Sequence, residues 1–166
     1  MELTIKNKDI IDGNIPSNIA LDGANEISIS NCSSLKHIPS IKTNATYLFI
    51  SHCDSLESIG DVSAKEVYFS NCEKLTNITS ISANVVKFLF CDSLVTPPKV
   101  SKETEEISFV QCPNLENIAE IPMSMKHVSF RGCEKLLPTQ KLLKNLTELR
   151  LKGCVVDYPE HFEIDS

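Results

Sequence analysis

The apolar residues of this chain recur in a frame that seven cysteines mark. In the segment 67–81, apolar residues stand at offsets −5, −3, 0, +3, +6 and +9 from Cys72. The first two alternate with polar residues, as in a strand, and the later ones recur every third residue. The segment therefore predicts a short strand, then a tight turn, then an extended or 3₁₀ return.

The same columns recur around the cysteines, which lie 19 or 21 residues apart, although Asp157 breaks the +3 column after Cys154. One unit cannot bury its own apolar side, so the copies must stack on one another. The predicted core columns at −5 and −3 are Ile27, Leu48, Val67, Val86, Ile107, Val128 and Leu149, and Ile29, Ile50, Phe69, Phe88, Phe109, Phe130 and Leu151. The columns at +3 and +9 are Leu35, Leu56, Leu75, Leu94, Leu115 and Leu136, and Ile41, Val62, Ile81, Val100, Ile121 and Leu142.

The two ends of the chain depart from the repeat in the way that caps do. Leu3 and Ile5 predict an opening strand, and Lys8 stands where the cysteine would be, as suits an end that faces water. Tyr158 and Phe162 are expected to cover the apolar end of the last repeat, because terminal repeats need such lids. We expect one domain, with a cap at 1–23, about seven repeats at 24–157 and a second cap or tail at 158–166.

The repeat LxxLxLxxCxxLxxIPxI resembles the leucine-rich repeat. The segments ISISNCSSLKHIPSI and ISFVQCPNLENIAEI are similar to the cysteine-type repeats of plant immune receptors, and IPMSMKHVSF more closely resembles repeats of translocated bacterial effectors. The resemblance implies a leucine-rich-repeat solenoid with about eight parallel strands on its concave face. The convex face would carry irregular or 3₁₀ returns and little α-helix, with one helix candidate at 138–146, where Pro138 suits a first helical turn.

Composition narrows the classes of function. The formal charge of −6 argues against nonspecific binding to nucleic acid. No apolar run reaches the roughly 18 residues of a membrane span, and the N-terminal residues do not have the pattern of a secretory signal. We therefore expect a protein that is cytoplasmic, or that is translocated into the cytosol of a host cell, and that binds neither nucleic acid nor membrane.

The cysteines are predicted to be structural. Each would point into the same interior column, where a free thiol acts as a small apolar side chain. Disulfides and metal binding are the alternatives, but seven is an odd number and no CxxC pair occurs. We expect no cofactor and no metal, and free thiols favour a reducing compartment.

The sequence contains no pattern that predicts catalysis. A role as nucleophile is open only for Cys53, which His52 precedes. Adjacent strand residues point to opposite faces, so the imidazole is expected to face outward and the thiol inward. We therefore expect a protein that is not an enzyme.

The strand residues between the core columns predict a binding surface on the concave face. Aromatic and aliphatic residues in the middle repeats form an apolar patch, and basic residues follow toward the C-terminus. Apolar surface patches with aromatic anchors are typical of interfaces. The alternatives are cross-strand stacking that only stabilises the sheet and a basic end that is merely solvated. The predicted partner-binding residues are Tyr47, Phe49, Tyr68, Lys87, Leu89, Phe90, Val110, Arg131 and Arg150.

These observations predict a monomeric module that binds a protein partner on its concave face and performs no chemistry. The effector resemblance implies a host protein as that partner. Two other functions stay open. One is a structural or adaptor protein of its own cell, and the other is an accessory that supplies substrate recognition to a catalytic partner.

Overall fold

The chain forms a parallel β-solenoid of about six turns, described by a computed structural model for residues 1–16, 21, 23–118 and 121–162. Two parallel sheets run along the solenoid, one of eight strands and one of four. In chain order the strands are β1 Glu2–Ile5, β2 Glu26–Ser30, β3 His37–Lys42, β4 Tyr47–Ser51, β5 Ser58–Ser63, β6 Glu66–Ser70, β7 Asn77–Ser82, β8 Val85–Leu89, β9 Lys99–Val100, β10 Glu106–Val110, β11 His127–Ser129 and β12 Val155–Asp157.

The large sheet has the order β1-β2-β4-β6-β8-β10-β11-β12, so each repeat adds one strand beside the strand of the repeat before it. The register keeps every column in line: Val67 pairs with Leu48 on one side and with Val86 on the other. Alternate residues of these strands are buried, as the period of two requires. The predicted solenoid and the frame of its middle repeats are therefore confirmed.

The interior holds a row of stacked aromatic rings. Phe69, Phe88, Phe109 and Phe130 are all at most 1% exposed. The ring centroids of Phe69 and Phe88 are 4.8 Å apart, and those of Phe88 and Phe109 are 5.1 Å apart. Each ring fills the space between two repeats, so the repeats cannot pack independently of one another.

The returns are more regular than the sequence predicted. In the first three cysteine repeats they form six-residue strands, β3, β5 and β7, which pair with each other and with the short β9 in a second sheet. Two inward positions at +6 and +9, such as Ile38 and Ile41, are buried in each long return. Close approach explains one glycine here: a Cβ on Gly60 would lie 1.4 Å from the carbonyl oxygen of Pro39 in the neighbouring strand.

The residue before each of these cysteines adopts a left-handed backbone conformation. This residue turns the chain so that the cysteine side chain enters the core; it follows a strand in every repeat except the last, where it follows a helix. Asparagine and glycine accept this conformation most easily. The residues and their φ values are Asn31 55°, His52 52°, Asn71 53°, Phe90 54°, Gln111 54°, Gly132 66° and Gly153 89°.

All seven cysteines are free and buried, as predicted. Their thiols bond to backbone carbonyls rather than to one another through disulfides. The Cys53 thiol, for example, donates to the carbonyl oxygens of Ser51 and Ile29 at 3.5 and 3.7 Å. Burial raises the pKa of Cys133 to about 12, with the neighbouring Cys112 contributing to the shift. The Cys133 thiol is therefore a neutral packing group at ordinary pH.

The last repeat departs from the prediction because a helix replaces its strand. Helix α1 spans Gln140–Leu151, and the side chain of Thr139 caps it by accepting the N–H of Leu142 at 3.2 Å. Leu142, Leu146 and Leu149 recur at helical spacing and are buried. The helix predicted at 138–146 is confirmed and is longer, but the strand predicted through Leu149 and Leu151 is wrong.

Leu151 is 83% exposed rather than buried. The eighth strand of the large sheet is β12, which follows Cys154 instead of preceding it and pairs with β11.

Buried apolar side chains lie at both ends of the solenoid. Strand β1 pairs with β2, and the buried Ile5 is its core residue. At the other end Phe162 is buried and Tyr158 packs against the core. The predicted caps also include residues 17–20, 22 and 163–166, which lie outside the described ones. In the described part of the chain, no helix has the length and apolar character that crossing a bilayer requires.

Candidate functional site

The candidate interaction surface is the outer face of the eight-stranded sheet, the face that points away from the stacked phenylalanines. It corresponds to the face that the sequence analysis called concave. It carries the residues that alternate with the buried columns. Phe49, Tyr68 and Lys87 are direct partners across β4, β6 and β8, and Leu89 pairs with Val110 across β8 and β10. This register places most of the predicted binding residues on one face.

Three aromatic rings form the first part of this face. The centroids of Tyr47 and Phe49 are 6.0 Å apart, and those of Phe49 and Tyr68 are 4.9 Å apart, with near-parallel planes. All three side chains are half-buried. The Tyr68 hydroxyl donates a hydrogen bond to Glu66. Burial and this bond raise the pKa of Tyr68, so its phenol stays neutral. We call Tyr47, Phe49 and Tyr68 the aromatic cluster.

Lys87 links the aromatic cluster to the charged part of the face. Its ammonium nitrogen lies 6.0 Å from the centroid of the Tyr68 ring and 2.8 Å from Oε1 of Glu106. A lysine in this position gains from both the ring face and the carboxylate. The Lys87 side chain is 33% exposed in this position.

Leu89, Phe90 and Val110 form a second apolar area beside the aromatic cluster. Leu89 lies diagonally across from Tyr68, a separation of about 7–8 Å that long side chains can span. Phe90 is 48% exposed, and its backbone is left-handed, a conformation that is costly for a bulky residue. Strained residues that the rest of a fold holds in place concentrate at functional sites.

Charged residues continue the face toward the C-terminus as a paired network. His127 lies between two carboxylates: its Nδ1 is 3.4 Å from Oε1 of Glu106, and its Nε2 is 3.0 Å from Oδ2 of Asp157. Arg131 approaches the same Asp157 oxygen at 3.5 Å. The hydrogen bond from His127 and the charge of Arg131 lower the pKa of Asp157.

Carboxylates pair with part of the predicted basic end. Arg131 is paired with Asp157, and Lys126 lies 2.8 Å from Glu105. Arg150 belongs to helix α1 and not to the sheet, because the last repeat folds as a helix before Cys154. Arg150 is therefore not part of the outer face, whereas the other eight predicted residues lie on or beside it.

Sequence reasoning missed the acidic members of the network. Glu106 and His127 stand at −6 in consecutive repeats, so their pairing across β10 and β11 could have been inferred from the frame. Asp157 could not, because it reaches the sheet through β12, the strand that follows its cysteine.

The described residues offer little for chemistry. Among them, no three histidine, cysteine, aspartate or glutamate side chains are grouped so as to hold a metal ion. His52 is exposed and left-handed while Cys53 is fully buried, so the imidazole and the thiol lie on opposite sides of the chain.

A scan against protein-family models and searches of curated proteins and solved structures found no match to this chain.

Proposed function

We propose that this chain is a non-catalytic protein-binding module, a monomer that holds one partner on the outer face of its eight-stranded sheet. The observation that carries this proposal is the aromatic cluster, three half-exposed rings stacked in register on a rigid sheet. A cross-strand stack alone would stabilise the sheet. The neighbouring Leu89, Phe90 and Val110 extend it into a larger apolar area, which sheet stability does not require.

The physical properties of this face suit a binding surface. Aromatic side chains offer large contact area at a small cost in side-chain entropy, and they are enriched among residues that dominate binding energy. Strand pairing on both sides fixes β4, β6 and β8, so little backbone order is lost when a partner binds. The complementary partner surface would be apolar opposite the rings.

The paired charges supply the polar rim of the proposed interface. Lys87, Glu106, His127, Asp157 and Arg131 follow the apolar area along the sheet and largely neutralise one another. A rim of this kind contributes to specificity and association rate more than to the strength of the complex. An Arg131→Glu variant is therefore expected to slow association and change its salt dependence.

Photocrosslinking can test the proposal before the partner has been identified. A photoreactive benzophenone amino acid placed at Phe49 should crosslink to a protein in a lysate of candidate host or parent cells. The same amino acid at the exposed Leu151 of α1 is the control, because that residue is apolar and lies outside the sheet. Crosslinks from position 151 but not from 49 would refute the proposed face.

Affinity measurements with the captured partner then test the anchors. Phe49→Ala and Tyr68→Ala should each weaken binding by about 2 kcal/mol, roughly 30-fold, because they remove ring contact area. Leu151→Ala should leave the affinity unchanged. Normal binding by both aromatic variants would place the interface elsewhere.

The finer identity rests on sequence resemblance. We propose a leucine-rich-repeat protein that is translocated and binds a host protein in the host cytosol. The alternatives are a substrate-recognition accessory of a catalytic partner and an adaptor protein of its own cell. Deletion of residues 158–166 in a secretion assay separates an exported effector from a resident adaptor. Copurification of an enzyme through the aromatic cluster would favour the accessory.

A further inference from the structure

A row of outward-facing residues crosses the first four strands of the eight-stranded sheet at the level of the aromatic cluster. The register pairs Glu2 with Glu26, Glu26 with Tyr47, and Tyr47 with Glu66. Neighbouring strands are about 4.8 Å apart, so Glu26 and Glu66 lie on either side of Tyr47 and roughly 10 Å from each other. We call Glu26 and Glu66 the flanking carboxylates.

The flanking carboxylates lie beside the rings of the cluster and are half-buried there. The hydroxyl of Tyr68 donates a hydrogen bond to Oε2 of Glu66, which positions this carboxylate against the rings. Burial, this bond and the negative charge of Glu66 together raise the pKa of Tyr68. A carboxylate accepts several hydrogen bonds at once, so Glu66 can also accept a bond from a donor on another protein.

Lys87 shows how this face holds a positive charge. Its ammonium nitrogen lies 6.0 Å from the centroid of the Tyr68 ring and 2.8 Å from Oε1 of Glu106. A cation gains both from the face of an aromatic ring and from a charge-assisted bond to a carboxylate. Tyr47 and the flanking carboxylates present the same two kinds of group on the other side of the cluster.

The negative charges beside Tyr47 are not matched within the chain. Among the described residues, no cationic group forms an ion pair with either flanking carboxylate, and the pairs that do form use Glu105, Glu106 and Asp157. The remaining residues, 17–20, 22, 119–120 and 163–166, include neither lysine nor arginine, so they cannot supply a cation. A basic group from another protein can therefore pair with both carboxylates.

We propose that the aromatic cluster binds a basic segment of its partner protein, whose Arg or Lys side chains pair with Glu26 and Glu66. This inference rests on the proposed function and adds the chemistry of the partner. An apolar side chain of the segment would contact the rings, and at least two cationic side chains would lie beside them.

Arginine suits this site better than lysine. Its planar guanidinium stacks on aromatic rings and forms two parallel hydrogen bonds with one carboxylate. The formal charge of −6 on the chain also favours the approach of a basic partner.

Selection from a phage library of random dodecapeptides tests the proposal on the intact chain. The enriched peptides should carry two or more Arg or Lys residues together with an apolar one. A synthetic peptide of such a sequence should shift the ring-proton resonances of Tyr47 and Phe49. Enrichment of acidic or uncharged peptides, no enrichment, or shifts confined to the four-stranded sheet would overturn the proposal.

Charge removal distinguishes the flanking carboxylates from general electrostatics. Glu26→Gln/Glu66→Gln should weaken binding of the selected peptide at least about tenfold. Glutamine keeps an oxygen that can accept the bond from Tyr68, so the rings stay in position. The matched control is Glu73→Gln/Glu134→Gln, which changes the net charge equally at two exposed glutamates in turns outside the outer face. Both double variants should keep the unfolding temperature of the parent, and an equal loss of binding in the control would contradict a local site.

Citrulline in the peptide separates charge from shape. It resembles arginine in size and in its planar head group but is neutral. A selected peptide whose arginines are replaced by citrulline should therefore bind at least about tenfold more weakly than the parent peptide. Equal binding of the two peptides would mean that the carboxylates do not recognise a cation.

The captured partner keeps failure of this inference distinct from failure of the proposed function. Both Phe49→Ala and Glu26→Gln/Glu66→Gln should weaken its binding. If only Phe49→Ala does so, the outer face binds a protein but that protein does not present basic groups to the flanking carboxylates. If neither variant weakens binding, the proposed function and this inference both fail.

Discussion

Phe69 and Tyr68 are neighbours in β6, yet their side chains belong to different parts of the molecule. The Phe69 ring is fully buried and stacks on Phe88, with centroids 4.8 Å apart. The Tyr68 ring is on the outer face and stacks on Phe49, with centroids 4.9 Å apart. A strand turns successive side chains to opposite faces, so adjacent residues of β6 lie in the core and on the outer face.

Truncation at these two positions should therefore affect stability very differently. Phe69→Ala leaves a cavity between two repeats and should lower the free energy of unfolding by about 3–5 kcal/mol. Tyr68→Ala loses cross-strand contacts on the surface and should cost about 1 kcal/mol or less. Urea denaturation of both variants measures the difference. Equal losses would mean that the strand register is wrong.

The buried thiols should react slowly in the folded protein. A thiol reagent must reach the sulfur, and the five cysteines of the middle repeats have no exposed surface. We expect labelling of Cys53, Cys72, Cys91, Cys112 and Cys133 to be slow in native protein and complete in denaturant, as followed by peptide mass spectrometry. Cys154, which is 7% exposed at the end of the solenoid, should react first. Fast native labelling of the middle cysteines would contradict the buried column.

Replacement of Cys72 by serine tests whether the column needs apolar groups. The Cys72 thiol is fully buried and donates weakly to the carbonyls of Ile50 and Ser70 at 3.6 Å. A hydroxyl is more costly to bury than a thiol, so Cys72→Ser should lower the free energy of unfolding by about 1–3 kcal/mol. Thermal unfolding of Cys72→Ser is compared with that of Cys72→Ala as a control. This comparison separates the effect of the polar hydroxyl from the effect of the smaller side-chain volume. A serine variant as stable as the parent would show that the carbonyls satisfy the hydroxyl fully.

Asp157 should contribute stability that depends on pH. Its pKa in the folded protein is below the ordinary value, because His127 bonds to it and Arg131 lies nearby. The unfolded chain therefore binds a proton more readily, and stability rises with pH in that range. The contribution is complete above the ordinary aspartate pKa of about 4 and is lost as pH falls through the lowered folded value.

Asp157→Asn should remove this part of the pH dependence. Unfolding followed between pH 6 and pH 2 should show a shallower loss of stability in the variant than in the parent. Glu105→Gln is the matched control, because its partner Lys126 is largely exposed. Identical acid profiles for Asp157→Asn and the parent would show that the network around His127 does not hold Asp157 in its charged form.

Much of this fold could be predicted because one short pattern is repeated. The apolar columns around Cys72 indicate where the strand lies, where the chain turns and which side chains are buried. When the repeats stack, only one pairing register between neighbouring strands buries all of these columns. The frame failed where local propensity opposed it: residues 140–151 carry leucines that fit both the repeat and a helix, and the helix formed. A helix capped by Thr139 satisfies its own backbone, so it does not need the neighbouring strand.

The residues of the candidate surfaces could be predicted only where their place in the repeat, counted from the cysteine, decides which face of the sheet they lie on. Phe49 and Tyr68 follow directly from the alternation of the strands. Asp157 does not, because it reaches the sheet through β12, a strand that follows its cysteine instead of preceding it.

Phe90 should show opposite effects on stability and binding. It is left-handed with φ of 54° and 48% exposed, whereas Asn31 and Asn71 occupy the same place in their repeats. A bulky residue in this conformation costs about 1–2 kcal/mol relative to one that tolerates it. Phe90→Asn should therefore raise the free energy of unfolding by about 1 kcal/mol, seen as a higher urea midpoint with an unchanged slope.

The reciprocal variant Asn71→Phe should lose a similar amount of stability, which controls for the general effect of a phenylalanine at this turn. If the ring of Phe90 contacts the partner, the more stable Phe90→Asn protein should bind the crosslinked partner at least about tenfold more weakly, a loss of about 1.4 kcal/mol. Such a trade of stability for affinity is typical of functional residues held in strained conformations. Stabilisation with unchanged affinity would remove Phe90 from the interface, and destabilisation would show that its exposed ring gains more from packing than its backbone loses.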